Sequence, residues 1–190
     1  MDLSVILFLG LLAAVALLRV VELVISRRNQ RVLAAKGVRK ISEPHFRWMV
    51  LLHTGILIGA ATEVIVVHRP FFPALAVTMG IVFLLANATR WWVIRTLGGH
   101  WNVEVMESAR LGVVTSGPFR FIRHPNYAAV LVELAALPLI HTAWLTALLG
   151  SAAHVWVLSR RLAIEESVLL ADPAYRSAMA HKSRFLPGIF

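Results

Sequence analysis

Five long apolar runs, separated by short polar or basic segments, organise the chain. They cover about residues 3–25, 46–67, 71–97, 127–140 and 143–158. A helix needs roughly 20 residues to cross a bilayer, a length that the first three runs reach and the last two do not. The pattern therefore predicts an all-α integral membrane protein with about five transmembrane helices. It leaves open whether the fourth and fifth helices cross fully.

Glycines and prolines mark the places where these helices end. Gly98-Gly99 follows the third run. Gly117-Pro118 and Pro125 disfavour a continuous helix in the polar segment 98–126. Asp172-Pro173 is a typical N-cap and first-turn pair, which predicts a short final helix.

The connections between runs predict which helices pair. Arg69-Pro70 indicates a tight turn, so the second and third spans are expected to form an antiparallel hairpin. His141-Thr142 predicts the same arrangement for the fourth and fifth. The basic segment 27–40 predicts a loop that is partly helical along the membrane interface, with Gly37 as its stop.

Composition and charge agree with a membrane protein. Of the 190 residues 58% are hydrophobic and the mean hydropathy is +0.74, against an average of about 45–50% apolar residues. The formal charge is +9, yet of the 19 Lys and Arg only Arg69 falls in the connections that follow the second and fourth runs. The positive-inside rule then places the N-terminus outside and the C-terminus in the cytoplasm. This distribution explains the charge without a nucleic-acid partner.

Several charged and polar residues lie inside the apolar runs. Arg19 and Glu22 are three residues apart and share a helix face, where they could pair or simply reach the interface. Arg90 lies well inside the third run, which is by default a functional-site hypothesis. The alternative is that Arg90 belongs to an interfacial belt with the neighbouring tryptophans. His53 fits a packed, hydrogen-bonded residue better than a ligand.

Two polar clusters are predicted to meet on the cytoplasmic face. One is segment 115–127, and the other is Arg160-Arg161 with Glu165-Glu166 at the end of the fifth span. The simpler readings are contact with anionic lipid head groups for the first and an ordinary i,i+4 ion pair for the second. Together the clusters would suit a ligand that carries both an ammonium and a carboxylate.

Other kinds of site are poorly supported. The chain has no cysteine, so it has no disulfide and no thiolate metal site. Its eight histidines are scattered without a metal-ligand spacing, and we predict no metal. The glycine-rich dinucleotide and phosphate loops and the G-x-S-x-G elbow are also missing.

The motifs of the second half resemble a known family. GPFRFIRHPNY, an apolar hairpin, RRLAIEE, an Asp-Pro-Ala-Tyr helix start and a closing RFLP are similar to the isoprenylcysteine carboxyl methyltransferase family, over about residues 97–187. RVVELVISRRNQ and RWWVIRTLGGHWN in the first half resemble its bacterial branch associated with type III polyketide synthases. Enzymes of that branch O-methylate alkylpyrones or alkylresorcinols, which implies the bacterial inner membrane and a lipophilic acceptor.

The resemblance implies a single methyltransferase domain, 1–190, that uses S-adenosyl-L-methionine without a Rossmann fold. Residues 1–97 would form three spans and residues 98–187 the cofactor-binding core. Phe119 stands where the family usually has tyrosine, so a hydroxyl contact is missing there. Arg161 would bind the acceptor or its developing charge. The cofactor-binding residues implied are Leu111, Gly112, Val113, Val114, Phe119, His124, Pro125, Asn126, Tyr127 and Glu165.

Chemistry narrows the choice of acceptor. Methyl transfer from a sulfonium is an in-line displacement, so an enzyme mainly aligns donor and acceptor and excludes water. A carboxylate acceptor needs no base, and an acidic enol or phenol needs little more than a cation such as Arg161 or Arg90. The alternatives are N-methylation of a phospholipid amine and a non-catalytic protein that binds membrane lipids or a partner.

Overall fold

The structure is a computed structural model that describes residues 2–43, 46–107 and 111–188. Over these residues the chain is all-α, as predicted, and its β features are isolated bridges without strands, such as the one between Lys40 and Met106. Short 3-10 turns cover Gly98–His100 and Gly117–Arg120. The helices are α1 (Leu3–Ala35), α2 (Phe46–Val66), α3 (Pro73–Leu97), α4 (Pro125–Leu139), α5 (Trp144–Leu169) and α6 (Pro173–Met179).

Three of the described helices are long and apolar enough to cross a membrane. They are α1, α2 and α3, the last counted through His100. Helix α4 is apolar but has only 15 residues. Helix α5 has 26 residues, and its second half carries the charged sequence RRLAIEE. The protein is therefore a helical membrane protein, and full crossing by α4 and α5 stays a prediction.

Helix α1 is longer than the sequence pattern predicted. The first span was expected to end near residue 25, which is wrong, because α1 continues to Ala35; the first part of segment 27–40 is therefore helical, in agreement with the expectation of a partly helical segment. Arginine, glutamine, leucine and alanine are all good helix formers, so charge alone does not end the helix. Gly37, with φ +74°, follows directly and gives the stop that was expected. At 33 residues α1 is about 50 Å long, which exceeds the roughly 30 Å of a hydrocarbon core.

The expected hairpin of the second and third spans is also wrong. Helix α2 packs mainly against α5 and α1, whereas α3 packs mainly against α4. A tight turn brings two helix ends together but does not determine which helix packs against each face. Gly150 on α5 lets α2 approach closely, since a Cβ there would lie 2.7 Å from Cγ1 of Ile56. The hairpin of α4 and α5 is confirmed, and its turn places Thr142 at φ +56°.

The starts of α5 and α6 have identifiable caps. Ala143 precedes α5 and offers no side-chain cap. Glu63 of α2 serves instead, because its carboxylate accepts hydrogen bonds from the backbone N–H of Leu145 at 3.1 Å and of Thr146 at 2.8 Å. Arg69 Nε also donates to Glu63 at 2.8 Å. Asp172 caps α6 through the N–H groups of its first turn, as predicted.

Candidate functional site

A cavity of about 440 Å³ lies inside the helix bundle. Its size falls within the range usual for small-molecule sites. One end, here called the polar end, is bounded by Arg123, the start of α4, Glu165 and Tyr175. The other, the deep end, is bounded by His53, Arg90 and His154, and apolar side chains from α1 and α2 line the space between them.

The start of α4 is held in place by the C-terminal segment. Pro125 occupies the first turn of the helix, where its missing N–H leaves no donor unpaired. The backbone N–H of Arg123 donates to the carbonyl of Ser183 at 2.9 Å, and that of His124 donates to the carbonyl of Arg184 at 3.0 Å. Residues 123–127 therefore form a fixed wall of the polar end.

Glu166 joins three cationic or basic side chains beside this wall. Its carboxylate lies 3.1 Å from His124 Nε2, 2.7 Å from Arg184 Nη2 and 3.3 Å from Arg123 Nη2. The neighbouring Glu165 points elsewhere, because successive side chains on a helix are about 100° apart. Glu165 lines the cavity, while Glu166 secures the segment behind it.

Tyr127 connects Arg161 to Glu165. Its hydroxyl donates to the Glu165 carboxylate and accepts a hydrogen bond from Arg161 Nε at 2.7 Å. The sequence suggested a simple i,i+4 ion pair, whereas the structure places a phenol between the two charges. The Tyr127 ring also stacks on His124, with centroids 5.6 Å apart.

Arg161 is further held by the loops on the opposite wall. Its Nη2 donates to the carbonyl of Val103 at 2.5 Å, and its Nη1 lies 3.4 Å from Glu43 Oε2. Burial raises the pKa of the Glu43 carboxyl, while the positive charge of Arg161 opposes that rise. Burial, followed by the charge of Glu165, raises the pKa of Tyr175, so its hydroxyl stays a donor at neutral pH.

The deep end rests on a group of four charges, here called the charge quartet: Arg19, Glu22, Arg90 and Glu133. Arg90 Nε donates to Glu22 Oε1 at 2.8 Å, and Arg90 Nη1 lies 3.7 Å from Glu133 Oε2. Arg19 lies 2.7 Å from Glu22 and also pairs with Glu133. Two arginines balance two glutamates, so the quartet is neutral overall. Arg90, Glu22 and Glu133 are buried.

Some buried polar atoms at the cavity wall have no hydrogen-bond partner within the described residues. Buried polar groups are normally paired, so such atoms on a cavity wall indicate a bound ligand or water. Oδ1 of Asn126 and Oδ1 of Asn102 are two unused acceptors, and Nε1 of Trp101 is an unused donor. At the deep end, His53 Nε2 and both ring nitrogens of His154 are unused.

The structure brings nearly all of the predicted site residues to this one cavity. Leu111 is the exception, because its side chain is exposed and does not line the cavity. Phe119 packs with a hydrophobic cluster around Trp101, and its carbonyl accepts a hydrogen bond from Lys182 at 2.8 Å. The predicted residues that line the cavity are Arg90, Gly112, Val113, Val114, Phe119, His124, Pro125, Asn126, Tyr127, Arg161 and Glu165.

Sequence reasoning missed several residues of the wall. His154 could have been found, because it precedes Arg161 by seven residues and Glu165 by eleven and so shares their face of α5. Glu43 lies in a connecting segment and belongs to no recognised motif, whereas Asn102 ends the RWWVIRTLGGHWN segment but was given no role at the site. Their place at the site follows only from the packing of the loops.

Comparison with known proteins gives one family and two relatives. Residues 76–171 match the model of the isoprenylcysteine carboxyl methyltransferase (ICMT) family. YpbQ of Bacillus subtilis (strain 168), described as uncharacterized, is 27% identical over 161 residues, which cover 84% of this chain and 94% of YpbQ. An uncharacterized protein of Haemophilus influenzae is 27% identical over 158 residues, which cover 83% of this chain and 91% of that protein.

Proposed function

The chain belongs to the isoprenylcysteine carboxyl methyltransferase family, and from this premise we propose that it is an S-adenosylmethionine-dependent O-methyltransferase. Its acceptor is a lipid-like molecule that presents an oxygen within the membrane. The observation that carries this proposal is the shape of the cavity. One cavity joins a polar end, built from the family's motifs, to an apolar part that reaches the lipid-facing surface.

The polar end suits the cofactor. S-adenosylmethionine, when bound, supplies a methyl group on a sulfonium, together with an ammonium, a carboxylate and ribose hydroxyls. The unused oxygen of Asn126 and the carboxylate of Glu165 would accept hydrogen bonds from its ammonium and hydroxyl groups. The unused N–H of Trp101 and the hydroxyl of Tyr175 would donate to its acceptors. The chain thus offers both kinds of partner that the cofactor needs.

The apolar part of the cavity suits an alkyl chain. Val20 on α1 and Val50 on α2 line the cavity and are 54% and 41% exposed, which places them where the cavity opens between these two helices. Ala16, Leu23 and Leu57 continue the apolar lining inward. An acceptor would enter sideways between α1 and α2. The polar end would face the cytoplasm of a bacterial inner membrane and receive the water-soluble cofactor.

Arg161 is better placed than Arg90 to stabilise the acceptor oxygen. Arg90 is already shared between two carboxylates of the neutral charge quartet. Arg161 faces the cavity with one carboxylate at 3.4 Å, a phenol and a carbonyl as its partners. A fixed cation beside a developing oxyanion lowers the barrier without reorganisation, and an apolar lining disfavours water next to it.

Binding and labelling together test this proposal. Wild-type protein in nanodiscs should bind S-adenosylhomocysteine in isothermal titration calorimetry. The chain has no cysteine, so Val20→Cys provides a single site for a bulky maleimide at the mouth of the cavity. The labelled protein should keep S-adenosylhomocysteine binding but lose methyl transfer to a 5-alkylresorcinol and to a long-chain fatty acid.

Leu17→Cys is the matched control, since Leu17 is 64% exposed on the same helix and does not line the cavity. Its labelling should leave transfer intact. If wild-type protein binds no S-adenosylhomocysteine, the enzyme proposal fails and a non-catalytic membrane role takes its place. If both labelled variants lose transfer equally, the lateral entrance between α1 and α2 is wrong.

A further inference from the structure

Helix α1 continues beyond the length that a membrane span needs. It has 33 residues, whereas roughly 20 suffice to cross a bilayer. Its last part, residues 26–35, is here called the α1 extension. Ser26, Asn29 and Gln30 are three and four positions apart and so share one face of this extension. Ser26 is fully buried, whereas Arg28 lies on the exposed side.

An irregular segment forms the cavity wall beside this face. Residues 101–105, here called the wall segment, all line the cavity and contain no helix or strand. Nε1 of Trp101 and Oδ1 of Asn102 have no hydrogen-bond partner within the described residues. An irregular segment has no repeating hydrogen-bond pattern of its own, so its position depends on contacts with other parts of the fold.

Two side chains of the α1 extension bind the backbone at the wall segment. Asn29 Nδ2 donates to the carbonyl of Trp101 at 2.8 Å and to that of Gly98 at 3.1 Å. One amide group thus joins the end of α3 to the wall segment. The hydroxyl oxygen of Ser26 accepts a hydrogen bond from the backbone N–H of Val103 at 3.1 Å. The backbone of the wall segment is therefore held at two points that are two residues apart.

Two further residues of the α1 extension strengthen this attachment. Gln30 Nε2 donates to Glu104 Oε2 at 2.8 Å and to the hydroxyl oxygen of Ser26 at 3.3 Å. Leu33 belongs to one apolar cluster with Met106, which directly follows the wall segment. Polar and apolar contacts of the same helix face therefore converge on this part of the cavity wall.

The wall segment in turn holds Arg161. The N–H of Val103 faces Ser26, and the carbonyl of the same residue accepts a hydrogen bond from Arg161 Nη2 at 2.5 Å. Tyr127 and Glu43 bind other nitrogens of the guanidinium. A displacement of Val103 would therefore remove one of the contacts that fix the direction of this cation.

We propose that Ser26 and Asn29 are positioning residues for methyl transfer, which hold the wall segment and, through Val103, the guanidinium of Arg161. This inference rests on the proposed methyltransferase function. It adds two residues that lie outside the family match of 76–171. A misplacement of about 1 Å at a reacting centre can lower the rate about 10²-fold, so a distant contact of this kind has a measurable effect.

Helix preferences support a role of these residues beyond α1 itself. Asparagine is a poorer helix former than alanine, and serine and asparagine side chains compete with the helix for its backbone hydrogen bonds. Asn29 directs both of its hydrogen bonds out of α1, toward the end of α3 and the wall segment. Replacing it with alanine should therefore keep α1 helical and release only these contacts.

Hydrogen exchange tests the contacts directly. In Asn29→Ala, measured in nanodiscs by mass spectrometry, the amides of residues 98–106 should exchange about tenfold faster, the effect of one lost hydrogen bond. Ser26→Ala should have the same effect, because it leaves the N–H of Val103 without its acceptor. Arg28→Ala is the matched control on the exposed side of the α1 extension, and exchange there should not change.

Binding and turnover test the positioning role. Affinity of Asn29→Ala for S-adenosylhomocysteine, measured by calorimetry, should fall about tenfold, since Trp101 lines the cofactor end of the wall segment. With a 5-alkylresorcinol or a long-chain fatty acid, whichever wild-type protein methylates, kcat should fall by up to about 10²-fold. Asn29→Gln keeps the amide donor and should recover part of both losses, and Arg28→Ala should lose neither. The affinity measurement needs no acceptor.

The outcomes separate this inference from the function on which it rests. Failure of wild-type protein to bind S-adenosylhomocysteine would refute the methyltransferase itself. With that binding present, unchanged exchange of residues 98–106 in both Asn29→Ala and Ser26→Ala would overturn the attachment of the wall segment. Faster exchange with unchanged affinity and kcat would show contacts that only stabilise the fold, and would overturn the positioning role. Equal losses in Arg28→Ala would overturn it as well.

Discussion

Replacing Arg90 with methionine tests whether the charge quartet is structural. Arg90 Nε donates to Glu22 at 2.8 Å, and its Nη1 lies 3.7 Å from Glu133. The side chains of these three residues are at most 6% exposed. Removing Arg90 changes the quartet from neutral to a net charge of −1, because one arginine then faces two glutamates. The cost comes from burying that uncompensated charge rather than from the loss of one contact.

The expected size of the effect follows from this burial. Breaking a buried ion pair by removing one partner typically costs about 3–5 kcal/mol. For a chain of this size that loss corresponds to a fall in Tm of roughly 6–20 °C. The double variant Arg90→Met/Glu22→Gln is neutral again and should regain most of the loss. The two changes should therefore be strongly non-additive in a double-mutant cycle.

Thermal unfolding in detergent, followed by tryptophan fluorescence, measures the stability of each variant. Arg95→Met is the control, since Arg95 lies on the same helix but is exposed, and its Tm should change little. Methyl transfer is compared at low temperature, where all variants are folded. An unchanged Tm in Arg90→Met together with abolished transfer would refute the structural account. Arg90 would then be a group that acts on the acceptor.

Two further changes probe the polar end and the packing of α5. Tyr127→Phe keeps the ring but removes the hydroxyl that bridges Arg161 and Glu165. The affinity for S-adenosylhomocysteine, measured by calorimetry, should therefore fall about tenfold, with little loss of Tm. An unchanged affinity would contradict this role of the hydroxyl. Gly150→Ala places a Cβ 2.7 Å from Cγ1 of Ile56 and should cost about 1–3 kcal/mol. The double variant Gly150→Ala/Ile56→Ala should lose less free energy of unfolding than the sum of the losses of the two single variants. If the two losses simply add, this contact does not explain the effect of Gly150→Ala.

Local signals in the sequence predicted the local features of the fold. Gly98 ends α3, Asp172 caps α6, and the α4–α5 turn lies at Thr142. Each depends on a few neighbouring residues whose backbone preferences are strong. The end of α1 was misplaced because residues 27–35 are basic and also good helix formers. The partner of α2 depends on a close approach at Gly150, which no local pattern reveals.

The candidate site shows the same contrast between features set by neighbouring residues and features set by long-range packing. The segment His124–Tyr127 and Glu165 could be predicted because they belong to a compact motif, and the structure places them around one cavity. The bridging position of the Tyr127 hydroxyl could not be predicted, since it depends on how α4 and α5 are rotated relative to each other. Arg90 was a reasonable catalytic candidate from its depth in α3. Its carboxylate partners lie 68 and 43 positions away along the chain, so only the folded structure reveals the quartet.

The contact of Glu63 with the start of α5 bears on how the chain assembles in a bilayer. The family match begins at residue 76 and so omits α2 altogether. Yet without α5 the carboxylate of Glu63 would lose the backbone donors of Leu145 and Thr146, and without α2 the first turn of α5 would lose its cap. Helices α2 and α5 thus each satisfy polar groups of the other that lipid could not satisfy. The segment that matches the family model is therefore expected to need α2 for its stability, and α5 is expected to settle in the membrane only after α2 is already there.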